Sequence, residues 1–270
     1  MEEQVNRLVT KAWSRYSHGG IPINAQNMIP KYGLAQANET TTSAKLRTTP
    51  PDTRLMIAVS GIPGSGKTGL AHMMAKRINE LYFAEHPSSP PIATSLPMDG
   101  YHFTRAQLAQ MPDPAYAAAR RGAAFTFDGE KFLRLVQSLR ERITTESRDI
   151  YAPSFDHAVK DPVEDDIAIP TTCRAVFFEG NYLSLNKEPW NRAAALMDEL
   201  WFVDVDFETA RKRLIRRHVE AGIAKDEEEA NKRAWRMIWL MGGRLWILGW
   251  MFRKLLRVSM ILGGRVEDWA

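Results

Sequence analysis

One stretch limits the fold before anything else is considered: Gly61-Ile62-Pro63-Gly64-Ser65-Gly66-Lys67-Thr68. It lies between an apolar run, Leu55 to Ser60, and a repeat of Leu70, Met73, Met74, Ile78 and Leu81 at helical spacing. Such an order reads as strand, glycine loop and helix. Glycines at 61, 64 and 66 let backbone N–H groups turn inward around phosphate oxygens, Lys67 can reach the β- and γ-phosphates, and the Thr68 hydroxyl can ligate Mg²⁺. The helix start adds its positive dipole end. The segment from Gly61 through Gly69 is the expected nucleotide site; the competing reading is a degenerate loop kept for structure.

At 270 residues the chain has room for one α/β domain but is short for two. Its 44% apolar and 25% charged content excludes a wholly disordered or fibrous chain. Cys173 is the single cysteine, so no internal disulfide can form, and no apolar cleavage signal follows the first residues. An intracellular, cytoplasmic setting is expected. The sequence pI is near 9.2, but the basic charge is unevenly placed: the six Lys/Arg between Arg236 and Val266, set against Glu267 and Asp268, account for the whole net charge of +4. Residues 1–235 are neutral, so the pI is no argument for a nucleic-acid partner.

Phosphoryl transfer needs a metal, in-line positioning and a group to take the acceptor's proton, which directs attention to carboxylates at strand ends. Ile92 to Met98 reads as a strand delivering Asp99, and Ala175 to Phe178 as a buried strand ending at Glu179. Asp99 is either a general base toward a substrate hydroxyl or a turn residue before Gly100. Glu179 is either an acid on the Mg²⁺ side or a strand-end charge facing solvent. A further strand, Leu200 to Asp206, leads into a helix with Arg211, Arg213, Arg216, Arg217 and His218, which Asp206 is placed to cap. Those arginines either close over a triphosphate, with Arg217 stabilising transferred charge and Arg213 and Arg216 holding nucleotide, or form a solvated basic face.

With these pieces in view, the chain resembles the phosphoribulokinase/uridine kinase family of P-loop kinases from about Pro50 to Trp235. The resemblance rests on the loop, Met98-Asp99-Gly100-Tyr101-His102-Phe103, Arg120-Arg121-Gly122 with Thr126-Phe127-Asp128, Tyr151 to His157, Phe178 to Tyr182, and the arginine helix. It implies an α/β P-loop NTPase with a nucleotide-kinase-like parallel sheet flanked by helices and an arginine-bearing lid. It further implies ATP and Mg²⁺, a small hydroxylated acceptor such as a nucleoside, sugar or pantothenate-like compound, Asp99 as catalytic base and Glu179 on the metal side. His102, Arg121, Tyr151, Phe155 and Asp156 are implied to line the acceptor pocket; equally, His102 is a structural histidine and Tyr151 and Phe155 core aromatics. The alternatives from other classes are a nucleotide-binding switch and a catalytically impaired scaffold.

Two stretches do not fit one compact domain spanning residues 50–235. Within residues 1–49, Asn6 to Tyr16 suits an amphipathic helix, whereas Ser17 to Arg47 is polar and irregular, as in a linker or translated non-coding sequence. Residues 236–270 form an apolar, basic tail; from Trp235 onward it holds five of the eight tryptophans. Members of the resembled family usually continue after such an Ala-Trp with Glu-Asn-Asp. Codons can be chosen for Arg236 to Val258 such that one G inserted before them reads Glu-Asn-Asp-Leu-Val-Asn-Gly-Arg-Glu-Ile-Val-Asp and onward. The Trp235 codon ends in G, so loss of one G from a run of three would produce the tail. The expectation is therefore an out-of-frame segment from 236 to about 258, with a genuine interfacial membrane helix as its rival. No membrane partner is expected unless that tail is genuine.

Overall fold

The computed structural model describes residues 49–238 and 255–259. The expected first helix, the irregular stretch 17–47 and residues 239–254 of the tail lie outside the described residues.

The strands in chain order are β1 (Leu55–Gly61), β2 (Ala93–Pro97), β3 (Ile150–Asp156), β4 (Asp161–Ile169), β5 (Ala175–Gly180), β6 (Glu199–Asp204) and β7 (Leu255–Ser259). Five of them make one parallel sheet in the order β2-β5-β1-β6-β7, while β3 and β4 pair as an antiparallel hairpin. The helices are α1 (Lys67–Glu85), α2 (Arg105–Leu108), α3 (Pro114–Ala119), α4 (Gly129–Arg140), α5 (Trp190–Ala195), α6 (Phe207–Glu220) and α7 (Glu227–Ile238). This is the expected α/β architecture, a parallel sheet flanked by helices.

Every residue of β1 is buried, which is why it reads as a continuous apolar run and not an alternating one. Its side chains still divide between two faces. Leu55, Ile57 and Val59 join Leu70, Met74 and Ile78 of α1, with Phe177 and Trp201. Met56 and Ala58 join Phe132, Val136 and Leu139 of α4, with Phe178 and Trp190. Each large side chain so buried contributes about 1.5–3 kcal/mol, so the two layers fix the strand order that the site depends on. Asn79 ties the layers to the edge: its side chain accepts from the Ile92 and Ala93 amides at 2.8 and 2.9 Å and donates to the Ala93 carbonyl at 2.8 Å.

A third cluster, Ile62, Ala210, Leu214, Ala234 and Ile238, docks α6 and α7 against the glycine loop. Asp206 caps α6 as expected, accepting from the Thr209 amide at 2.8 Å. Helix α7 runs through position 235 to Ile238, and β7 adds to the sheet beside β6.

Candidate active site

Parallel pairing sets the carbonyl ends of three strands level: Val59 lies opposite Glu179, and Glu179 opposite Pro97. The glycine loop leaves β1 at that level, and Met98 to Tyr101 leaves β2 as a turn of 3₁₀ helix carrying Asp99. Open α/β sheets bind ligands at such strand ends. Gly64 and Gly66 take left-handed conformations, φ 82° and 93°, that shape the loop into a cradle. At Gly64 a Cβ would also lie 2.5 Å from the Ala210 carbonyl oxygen, so the approach of α6 admits no side chain. Ser65 Oγ is buried in the loop without a hydrogen-bond partner among the described residues, which suits a loop that folds around oxygens of another molecule.

The Thr68 hydroxyl donates to Glu179 Oε2 at 3.0 Å. Glu179 is buried, 7% exposed, and that desolvation raises its carboxyl above the ordinary range; Asp99 adds to the rise, while Lys67, the Thr68 hydrogen bond and Arg217 oppose it. Burial likewise lowers the Lys67 ammonium, against the pull of Glu179 and Asp99 and with help from Arg217. Glu179 is thus a strand-end acid turned inward onto the loop, not toward solvent. Among the described residues no three His, Cys, Asp or Glu side chains gather as a metal cage. A hydroxyl beside one carboxylate fits Mg²⁺, which is commonly held by one or two carboxylates plus substrate phosphates.

His102 Nδ1 lies 2.8 Å from the Asp99 carbonyl oxygen. A carbonyl only accepts, so Nδ1 carries the proton and donates. Burial pushes this imidazole below the ordinary histidine range; Asp99's charge and carbonyl oppose the shift, and Arg121 and His157 reinforce it. In the neutral ring, a proton on Nδ1 leaves Nε2 as the acceptor. Its ring packs on Phe127 and Phe155, centroids 3.9 and 4.9 Å away. Arg121 lies over Phe155 at 5.6 Å and donates to the Phe103 carbonyl at 3.1 Å and Asp161 Oδ1 at 2.9 Å.

His102, Arg121 and Phe155 are thus brought together beside Asp99. Tyr151 lies on β3, 51% exposed and opposite Ala168, and so is not a core aromatic. Asp156 accepts from the Ala158 and Val159 amides at 2.7 and 3.1 Å, so its carboxylate builds the β3–β4 turn. The arginines also separate. Arg213 donates to the Ser65 and Gly64 carbonyls at 3.2 and 3.4 Å, Arg216 bonds Glu220 of its own helix at 2.8 Å, and Arg217 is exposed with its charge felt at Lys67 and Glu179. The sequence did not reveal the hairpin, with Lys160 in its turn and Asp161 opening β4.

No protein-family model matches the chain. It is 65% identical over 136 residues, 50% of this chain and 79% of the relative, to ATP-dependent kinase-like protein notR' of Aspergillus versicolor. It is 43% identical over 180 residues, 67% of this chain and 73% of the relative, to C227.14 of Schizosaccharomyces pombe, provisionally named a uridine kinase. Among solved structures, YFH7 of Saccharomyces cerevisiae, provisionally described as a P-loop-containing kinase with a circular permutation, superposes with TM-score 0.67 at 23% identity, covering 76% of this chain and 92% of that one. A provisionally named fructose transport system kinase from Silicibacter sp. TM1040 gives 0.65 at 27% identity, covering 81% and 94%. With the sheet, the loop and the carboxylates in place, this chain belongs to the phosphoribulokinase/uridine kinase family of ATP-dependent P-loop kinases.

Proposed function

We propose that the protein transfers the γ-phosphate of ATP to a hydroxyl of a small metabolite, a nucleoside, sugar or pantothenate-like compound. The observation that supports this most is geometric: Asp99 leaves β2 two residues after Pro97, which pairs with Glu179, Glu179 accepts from Thr68 of the loop, and His102, Phe155 and Arg121 cluster beside Asp99 as the walls of an acceptor pocket. A switch that only hydrolyses nucleotide would need no such pocket. Asp99 takes the proton of the acceptor hydroxyl; that oxygen forms the new bond to the γ-phosphorus as the bond from phosphorus to the bridging oxygen of ADP breaks. The loop amides and Lys67 hold phosphate oxygens, Arg213 fixes the loop from α6, and Arg217 adds positive charge on the phosphate side. Thr68 and Glu179 hold Mg²⁺, which when bound neutralises phosphate charge. His102 Nε2 accepts a hydrogen bond from the acceptor, and Phe155 with Arg121 forms its wall.

The tail belongs to the same reading: residues 236 to about 258 are out of frame, and the native final segment begins Glu-Asn-Asp. The pairing of β7 does not weigh against this, because a sheet edge offers backbone groups to any strand-forming sequence. The deciding experiment follows ATP consumption with Mg²⁺ across pooled nucleosides, sugars and vitamins. Acceptor-dependent turnover supports the kinase reading; nucleotide binding with no stimulation by any pool would favour a switch or scaffold.

A further inference from the structure

One cavity lies apart from the glycine loop, none of whose residues lines it. It has a volume of about 500 Å³ and is lined by Arg105, Arg121 and Lys160 above an apolar floor that includes Leu108, Pro114 and Ala118. That is ample for a small metabolite. Three cations converge from three parts of the chain: Arg105 from the start of α2, Arg121 from the turn after α3, and Lys160 from the β3–β4 turn. Asp161 supplies one compensating charge, through the Arg121 guanidinium and the Arg105 amide at 2.9 and 2.8 Å. Burial works against ionising Asp161, but these donors and the two arginine charges outweigh it and hold the carboxyl below its usual range. Arg105 and Lys160 have no ion-pair partner among the described residues, so this one carboxylate leaves the cavity with two positive charges to spare.

The turn is built to present Lys160. Its φ is 63°, its amide donates to the Asp156 carbonyl at 2.7 Å, and the Asp156 carboxylate holds the two amides between. The cavity is also joined to the reacting end: Arg121 lies over Phe155, Phe155 packs on His102, and His102 is bonded to Asp99.

We propose that this cavity binds an anionic group, a phosphate or a carboxylate, on the acceptor whose hydroxyl lies at Asp99. The acceptor is then an anionic alcohol, not a neutral nucleoside or free sugar. Arg105 and Lys160 supply charge-assisted hydrogen bonds, and Arg121, already spent on Asp161, forms the wall between the anionic end and the aromatic pocket. This inference rests on the kinase reading above.

The test uses the full chain with Mg²⁺ and matched acceptors: glycerate and glycerol, pantothenate and pantothenol, glucose 6-phosphate and glucose. Product formation with saturating ATP and calorimetric binding in the presence of ADP are both measured. The charged member of at least one pair should be preferred, and Arg105→Gln and Lys160→Gln should each raise its KM or Kd by about ten-fold or more while changing kcat by less than about two-fold. The neutral members should respond to neither substitution. Equal handling of charged and neutral members, or unchanged KM and Kd in both variants, overturns the anionic site while leaving the kinase reading intact. Binding of a charged member that needs Arg105 and Lys160 but yields no product supports the site and counts against the transfer reading. Failure of every charged member to bind overturns the site.

Discussion

Gly100 has no room for a side chain: a Cβ there would lie 2.1 Å from the Pro153 carbonyl oxygen. That contact holds β3 against the turn carrying Asp99, so one glycine positions both the acid and the strand bearing Phe155. Gly100→Ala should destabilise the protein by about 1–3 kcal/mol and disturb acceptor KM more than ATP KM, measured by denaturant unfolding and initial rates. His102 makes a prediction in pH. Its native pKa lies below the unfolded value, so between the two the unfolded chain binds more protons and stability rises with pH. Stability should therefore fall as pH drops below the ordinary histidine value of about 6.5. His218 is lowered too, chiefly by burial, so the test is comparative: His102→Gln should lose part of the acid-side fall in denaturation midpoint, and an identical pH dependence would contradict this. At this scale the strand-end positions of Asp99 and Glu179 were legible because each follows an apolar run that reads as a strand beside the loop. The placement of Tyr151 and Asp156 was not legible, since the same residue types line pockets or build turns according to which way a strand faces.

Among the elements, α6 carries the closest dependence between structure and chemistry. It approaches the loop so nearly that Gly64 must be glycine, and it supplies Arg213 to the loop carbonyls. Removing its cap with Asp206→Ala should cost about 1 kcal/mol, read as a lower unfolding midpoint, and ATP should recover part of the loss because binding favours the docked helix. No recovery at saturating ATP would separate α6 from the nucleotide site. Its start was readable from Asp206, and β1, β2, β5 and β6 from their apolar runs. The hairpin was not, because most of β4 faces water: Val163, Glu164, Asp165 and Asp166 are exposed, and Asp165 takes a φ of 52°. A solvent-facing strand interrupted in this way has no alternating pattern to recognise.

For the whole molecule, two buried layers on a parallel sheet bring together side chains far apart in sequence, from Lys67 to Arg217. The tail is where local and global signals disagree. A version continued after Trp235 in the shifted frame, Glu-Asn-Asp onward, should stay soluble to a higher concentration than the present chain, since it removes an apolar, tryptophan-rich stretch. Coding DNA whose bases around codon 235 do not permit that frame would refute the idea. Among the described residues no helix is long and apolar enough to cross a membrane.

The most direct measurement compares the unsubstituted protein with Asp99→Asn for acceptor-dependent transfer of label from γ-labelled ATP, with ATP affinity measured alongside. The account predicts that transfer falls by about 10²–10⁴-fold while the Kd for ATP stays within about two-fold. Transfer at an undiminished rate in Asp99→Asn would contradict the assignment of the base and the reading of the site built on it.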